Sequence, residues 1–223
     1  MRPLNPKGVM ICTPVRDGRI HTGYVVGLMQ SNGLHNGWLP YSGQSDIYIS
    51  RNVLMNAFYN QKQYETMVCI DSDIGFTRAD LQRLIESDGD VVSGIYSDKH
   101  QPPMPFCRDE FGENIPHKDI PPQGMIRSRL IPGGFFKAER HAIEKAALFV
   151  EKYGDERETV LAFYETRYFT KTEGQHTGRY MASEDYSFSL LLEKIGIQPW
   201  TNCGIRVNHD GRTWDGNPCD AQP

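Results

Sequence analysis

The residues best placed to do chemistry are Asp71 and Asp73, one residue apart at the end of the apolar run Met67-Val68-Cys69-Ile70 and followed by Ile74-Gly75-Phe76. A run this short, with polar Gln63 to Glu65 upstream and a turn downstream, predicts a buried strand. The two acids then lie at the carboxyl end of that strand, the edge of open α/β sheets where ligands bind. Carboxylates this close repel unless a cation, a shared proton or solvent relieves them. We expect a divalent metal.

The elements around this stretch place further chemistry on the same rim. Gly8 to Pro14 reads as a first buried strand. If it is parallel to the Cys69 strand, Thr13 and Arg16 face the ligand edge, where an arginine holds a phosphate or stacks on a base; a solvated turn is the alternative. Helical spacing is expected over Thr22 to Gln30 and again over Ser45 to Tyr59, with a turn-rich loop from Asn32 to Gly43 between them. Arg51 and Asn52 on the second helix are either ligand contacts or solvated residues. Thr77-Arg78-Ala79-Asp80 has capping-box spacing and opens a short helix. Asp90 to Tyr96 is the next strand, completing a strand-helix-strand unit of the parallel-crossover kind. Its exit, Tyr96 to Lys99, points to the same rim.

The later chain is less regular. His100 to Gln123 carries six prolines and no periodicity, as functional loops often do. A strand is expected around Met125 to Leu130. Gly133-Gly134 then reads either as a close approach of backbone to ligand or as a tight turn. A helix from about Ala138 to Tyr153, a strand over Thr159 to Phe169 and a polar loop from Thr172 to Arg179 follow. Ser183 reads as the N-cap of a helix with Glu184 and Asp185 in its first turn, stopped by Gly196. The segment Ile197 to Val207 is extended and leads to His209; the last residues read as a tail.

Whole-chain properties narrow the classes. With 223 residues, 39% of them hydrophobic and 23% charged, the chain fits one α/β domain with a sizeable core. A net charge of -4 argues against a broadly basic nucleic-acid surface. No apolar stretch approaches a membrane span and the N-terminal residues lack a signal-peptide core, so a cytoplasmic protein without stable membrane association is expected. The five cysteines are scattered without a C-x-x-C pair, which fits reduced thiols better than disulfides or a zinc site.

An EF-hand is excluded, because Gly75, Phe76 and Gln82 stand where that loop needs a ligand, a glycine and a bidentate acid. A magnesium-dependent phosphatase of the haloacid-dehalogenase kind is a stronger rival. It would use Asp71 as nucleophile, Asp73 as general acid, Lys99 as phosphate clamp and Asp185 as a magnesium ligand. Against it, Gly75 replaces that family's threonine or valine, and a whole strand-helix unit precedes the acidic strand. A nucleotide-binding module without turnover is the third reading.

In order along the chain, Asp71-Ser72-Asp73, Gly133-Gly134, Ser183-Glu184-Asp185 and His209 resemble the GT-A glycosyltransferases. Cys69 to Phe76 and Ser93-Gly94-Ile95-Tyr96 look like the small glycosyltransferases of large viruses and phages, and the N-terminal domain of a multidomain chlorovirus glycosyltransferase is similar. The resemblance covers roughly Val9 to Gly211. It implies a GT-A-like, Rossmann-like α/β domain over 1–223: a mixed, mainly parallel sheet flanked by helices, with a nucleotide-binding part over about 8–100, an acceptor part over about 101–212 and a tail over 213–223. It further implies a UDP- or GDP-sugar donor and a manganese or magnesium ion held by Asp73 and His209, with Asp71 on the metal or the ribose. Thr13, Arg16, Arg51, Ser72, Tyr96, Lys99, Gly133 and Gly134 would meet the donor. Asp185 matches the acid that, in inverting members, takes the proton from the acceptor hydroxyl; complementing a helix N-terminus is its plain alternative. The implied acceptor is a glycan, a protein or a modified nucleobase, for which Arg127, Arg129 and Lys137 would offer a short basic groove. Oligomeric state is left open.

Overall fold

The structure is a computed structural model, which describes residues 8–43, 46–98, 104–154, 159–165, 168–173 and 176–209. In chain order the elements are β1 (Val9–Val15), α1 (Thr22–Gln30), β2 (Gly37–Ser42), α2 (Ile47–Asn60), β3 (Thr66–Ile70), β4 (Ile74–Gly75), α3 (Arg78–Glu86) and β5 (Val91–Ile95). They continue with β6 (Met125–Arg127), β7 (Phe135–Glu139), α4 (Arg140–Ala147), β8 (Lys152–Gly154), β9 (Thr159–Leu161), β10 (Tyr168–Glu173), β11 (His176–Met181), α5 (Glu184–Lys194), β12 (Trp200–Arg206) and β13 (Asn208–His209).

Seven strands form the main sheet in the order β2-β1-β3-β7-β5-β12-β6. β2, β1, β3, β5 and β12 run one way, while β7 and β6 run against them. The sheet is therefore mixed and mainly parallel, as the resemblance implies. Side chains alternate along β3: Met67 and Cys69 enter a core cluster with Leu54, Phe58, Phe188 and Leu191, and Val68 and Ile70 enter another with Tyr24, Leu81, Leu84 and Ile205. Both faces of the strand are covered, which is why it reads as continuous apolar sequence instead of alternating.

Two elements correct the sequence reading. Residues 37–42, expected in a loop, form β2, a parallel edge strand in register with β1 from Met10↔Gly37 to Val15↔Ser42. Gly37 and Pro40 disguise it, yet an edge strand tolerates a proline because one side of its ladder is unpaired. Residues 135–139 form β7, where a helix was expected to begin at Ala138. β7 lies between β3 and β5 and pairs antiparallel with both, so the strand-helix-strand unit crosses over one intervening strand. Lys137 hides this strand. It is 2% exposed, and its ammonium donates to Ile85 O at 3.1 Å, Ser87 O at 2.6 Å and Glu139 Oε1 at 3.0 Å, covering the C-terminal carbonyls of α3. The helix that follows is correspondingly shorter, Arg140–Ala147.

Smaller differences follow the same logic. Of the strand expected over Thr159 to Phe169, residues 159–161 form β9, 162–165 lie outside any strand and β10 begins at Tyr168, and the described residues of the polar loop expected at Thr172 to Arg179 belong to the paired strands β10 and β11. The capping box at Thr77 and Asp80 is present in both directions. Ser183 occupies the N-cap of α5 without a side-chain cap bond. Cys12, Cys69, Cys107 and Cys203 are free thiols. Cys219, Arg212 and the tail lie outside the described residues. Among the described residues no helix is long and apolar enough to cross a membrane.

Candidate active site at the carboxyl rim of the sheet

β1, β3 and β5 end on one rim, and α2, α5 and β7 begin there. Asp71 follows β3 directly, and its amide donates to Gly134 O at 2.9 Å across the β3–β7 ladder. The sequence puts Arg51 one turn into α2, which delivers it to the same place. Arg140 fixes the other end of that helix by donating to Phe58 O at 3.2 Å and Gln61 O at 2.9 Å, where the helix's last turn has no basic residue of its own.

Arg51 is the hub. Its side chain is 3% exposed, its Nη2 donates to the two Asp71 oxygens at 3.1 and 3.0 Å, and its Nη1 bonds Asp185 and lies 3.4 Å from Glu184. Burial works against the guanidinium charge, and Asp185 and Asp71 outweigh it. Burial also pushes the Asp71 carboxyl up to about 6, against the pull of Arg51 and with the push of Asp185 and Asp73. Arg51 thus meets carboxylates in this structure, where the sequence offered it to the nucleoside.

The paired glycines make this packing fit. A Cβ on Gly133 would collide with Asp185 Oδ1 and lie 2.7 Å from Arg51 Nη1; one on Gly134 would lie 2.6 Å from the Tyr96 hydroxyl and 3.0 Å from Asp71 Oδ2. Neither glycine has a positive φ, so space is what the site requires of them. Tyr96 is 4% exposed and its hydroxyl accepts from Gly134 N at 2.8 Å.

β4 and β13 form a short antiparallel pair with His209 opposite Ile74. This brings His209 Nε2 to 3.5 Å from Asp73 Oδ2, while His209 Nδ1 lies 2.6 Å from Ser97 O. A carbonyl only accepts, so Nδ1 carries the hydrogen and, in the neutral ring, Nε2 turns a lone pair toward a carboxylate. A proton or a metal cation between them relieves that contact. One nitrogen and one oxygen, with the imidazole oriented by a backbone carbonyl, is a donor set that would suit manganese or magnesium. Among the described residues no cluster of three or more His, Cys, Asp or Glu could hold a metal unaided.

The remaining candidates are placed as follows. Thr13 is fully buried, and its hydroxyl is engaged by the Tyr24 hydroxyl and by Trp38 Nε1 at 3.1 Å, so it does not present that group to the rim. Arg16 is exposed beyond β1. Ser72 is half-buried and its carbonyl accepts from His21 N at 2.8 Å. Lys99 lies outside the described residues. The basic groove is not assembled: Lys137 is buried under α3, Arg129 pairs with Glu193 at 3.1 Å, and Arg127 lies over the Trp200 ring.

Sequence reasoning missed Asn56, the companion of Asn52. Asn52 Nδ2 donates to Tyr164 O at 2.7 Å and its Oδ1 accepts from Tyr164 N at 2.8 Å. Asn56 does the same with Leu161 O and N, both at 2.9 Å. Asparagines four apart on one helix face were the available signal.

The fold is that of a mixed, mainly parallel α/β sheet with its polar residues gathered at the carboxyl rim. No protein-family model and no curated protein matches the chain in sequence. Among solved structures, A197 from STIV matches over 94% of this chain and 92% of its own, with a TM-score of 0.61 at 15% identity, which shows a shared fold. GalNAc-T7, crystallised with UDP, GalNAc and Mn2+, gives a TM-score of 0.49 at 11% identity over 92% of this chain and 44% of its own. A glycosyltransferase involved in glycosylation of the major capsid of PBCV-1 gives 0.32 at 11% identity over 61% and 62%. The last two scores are too low to carry an argument.

Proposed function

We propose that the chain is a GT-A-type glycosyltransferase that moves a sugar from a UDP- or GDP-sugar to an acceptor hydroxyl with the help of a divalent cation. The observation that carries this reading is the convergence, on one rim, of the Asp73–His209 donor pair with the Asp71–Arg51–Asp185 cluster. Asp73 and His209 would hold manganese or magnesium. A cation there would neutralise charge on the diphosphate as a Lewis acid.

In this mechanism Asp185 Oδ1 stays with Arg51, which orients the carboxylate, and Oδ2 takes the proton from the acceptor hydroxyl. The acceptor oxygen bonds to the anomeric carbon as the bond from that carbon to the diphosphate oxygen breaks, and the electron pair leaves on the phosphate. Attack opposite the leaving group inverts the anomeric centre. The Gly133-Gly134 backbone keeps Asp185 and Asp71 close without a side chain between them. Asp71 has both oxygens on Arg51, which supports a positioning role for it and speaks against the phosphatase reading, where a free Asp71 oxygen must attack phosphorus.

The test is turnover. Nucleoside diphosphate release from a panel of UDP- and GDP-sugars, with manganese and a mixture of acceptors, should be seen for the wild type and lost in Asp185→Asn. An acyl-phosphate trapped at Asp71 with phosphoester substrates, and no release from any nucleotide sugar, would overturn the reading in favour of the phosphatase.

A further inference from the structure

Beside the carboxylate cluster, α2 and the chain around β8 and β9 enclose a groove of about 560 Å³, with Tyr48, Asn52, Val53, Tyr153, Tyr164 and Glu165 on its walls. That volume falls within the roughly 300–1,000 Å³ of pockets that take small organic ligands. The inner wall is built. Asn52 and Asn56 pair with the backbone N–H and C=O of Tyr164 and Leu161 as a neighbouring strand would, fastening this segment to α2. Tyr164 is 2% exposed and stacks on Phe188 with ring centroids 5.3 Å apart. The outer tyrosines, Tyr48 and Tyr153, are 44% and 51% exposed.

We infer that this groove is a saccharide-binding subsite that takes an uncharged sugar ring of the acceptor. Three tyrosines line it, with apolar Ile49, Val53 and Val160 between them. Such a surface fits a ligand with both C–H faces and hydroxyl groups, the pattern for which tyrosine offers an apolar ring and a polar tip. Among the described lining residues there is no lysine or arginine to meet a phosphate, a sulfate or a diphosphate-linked lipid. The groove also connects to the chemistry: Arg51 lies 5.9 Å from the Tyr164 ring centroid and bonds Asp185. Calling the sugar an acceptor rests on the transferase reading; saccharide binding does not.

Saturation-transfer NMR with uncharged methyl glycosides and disaccharides tests this on the wild type, Tyr48→Ala and Tyr153→Ala, beside titrations of UDP and GDP with manganese on the same samples. Both tyrosines are half-exposed, so thermal melts should show folded variants. At least one saccharide should bind, Tyr48→Ala and Tyr153→Ala should each weaken it at least about tenfold, Tyr48→Phe and Tyr153→Phe should retain most of it, and Thr77→Ala, on the exposed start of α3, should leave it unchanged. If nucleotide binds with manganese and no uncharged saccharide does, the groove assignment fails and the transferase reading stands. If saccharide binding depends on the tyrosines while no nucleotide binds, the groove stands and the transferase reading fails. Binding that persists in a Tyr48→Ala/Tyr153→Ala double variant, or a preference for sulfated sugars, would overturn the inference.

Discussion

The buried Arg51 and the half-buried Asp185 pair from distant parts of the chain, α2 and the first turn of α5, and the same guanidinium holds both oxygens of Asp71 3.0 and 3.1 Å away. One cation therefore organises two acids that would otherwise repel. Replacing it with Met should destabilise the metal-free protein by about 3 kcal/mol, the lower end for breaking a buried pair, because both acids retain some contact with water. Urea melts at pH 7 check this. Arg51→Lys should recover part of the loss, since an ammonium cannot reach both acids with a planar fork.

The raised Asp71 carboxyl gives a pH dependence. Its folded value is about 6 against an ordinary aspartate value of 3.8, so between those limits the native state binds more protons than the unfolded one. Stability from this group is full below about 4 and falls as pH rises through about 6, by at most about 3 kcal/mol at 1.36 kcal/mol per pH unit. Melts in the presence of a chelator should show this slope in the wild type and a flatter one in Asp71→Asn. A carbon-13 titration should place the Asp71 midpoint well above that of an exposed aspartate.

Gly133→Ala should disturb the site while sparing the sheet. Its Cβ meets Asp185 and Arg51 directly, and relieving such overpacking costs about 1–3 kcal/mol. We expect a folded variant with transfer reduced at least about a hundredfold, the scale on which small misplacements at a reacting centre act. Manganese-dependent nucleotide binding should change much less, because Asp73 and His209 lie on β4 and β13 side of the rim. Parallel turnover and calorimetric measurements distinguish the two effects.

Thr77→Ala is the control for stability without function. It removes a capping box on the exposed start of α3 and should cost about 1 kcal/mol. Turnover at a temperature well below the melt should be unaffected.

How much of this was legible depends on whether a residue's neighbours in sequence are also its neighbours in space. β3 and its terminal acids were legible because an apolar run stops at two carboxylates. The Thr77 cap was legible because both partners lie within one turn. β2 was not, since Gly37 and Pro40 are breaker signals that an edge strand overrides by pairing with β1. β7 was not, since the carbonyls that bury the Lys137 charge come from α3. The rim residues Asp71, Asp73, Asp185 and His209 could be named from their order along the chain. The partner that joins two of them, Arg51, depends on how α2 and α5 pack, which no local spacing encodes.

The most direct test of the account is a calorimetric titration of UDP and GDP, with and without manganese, on the wild type, Asp73→Ala and His209→Ala. The account predicts tight binding of one nucleotide that requires manganese and is lost in both variants. Binding that is indifferent to manganese, or no binding of either nucleotide, would contradict it.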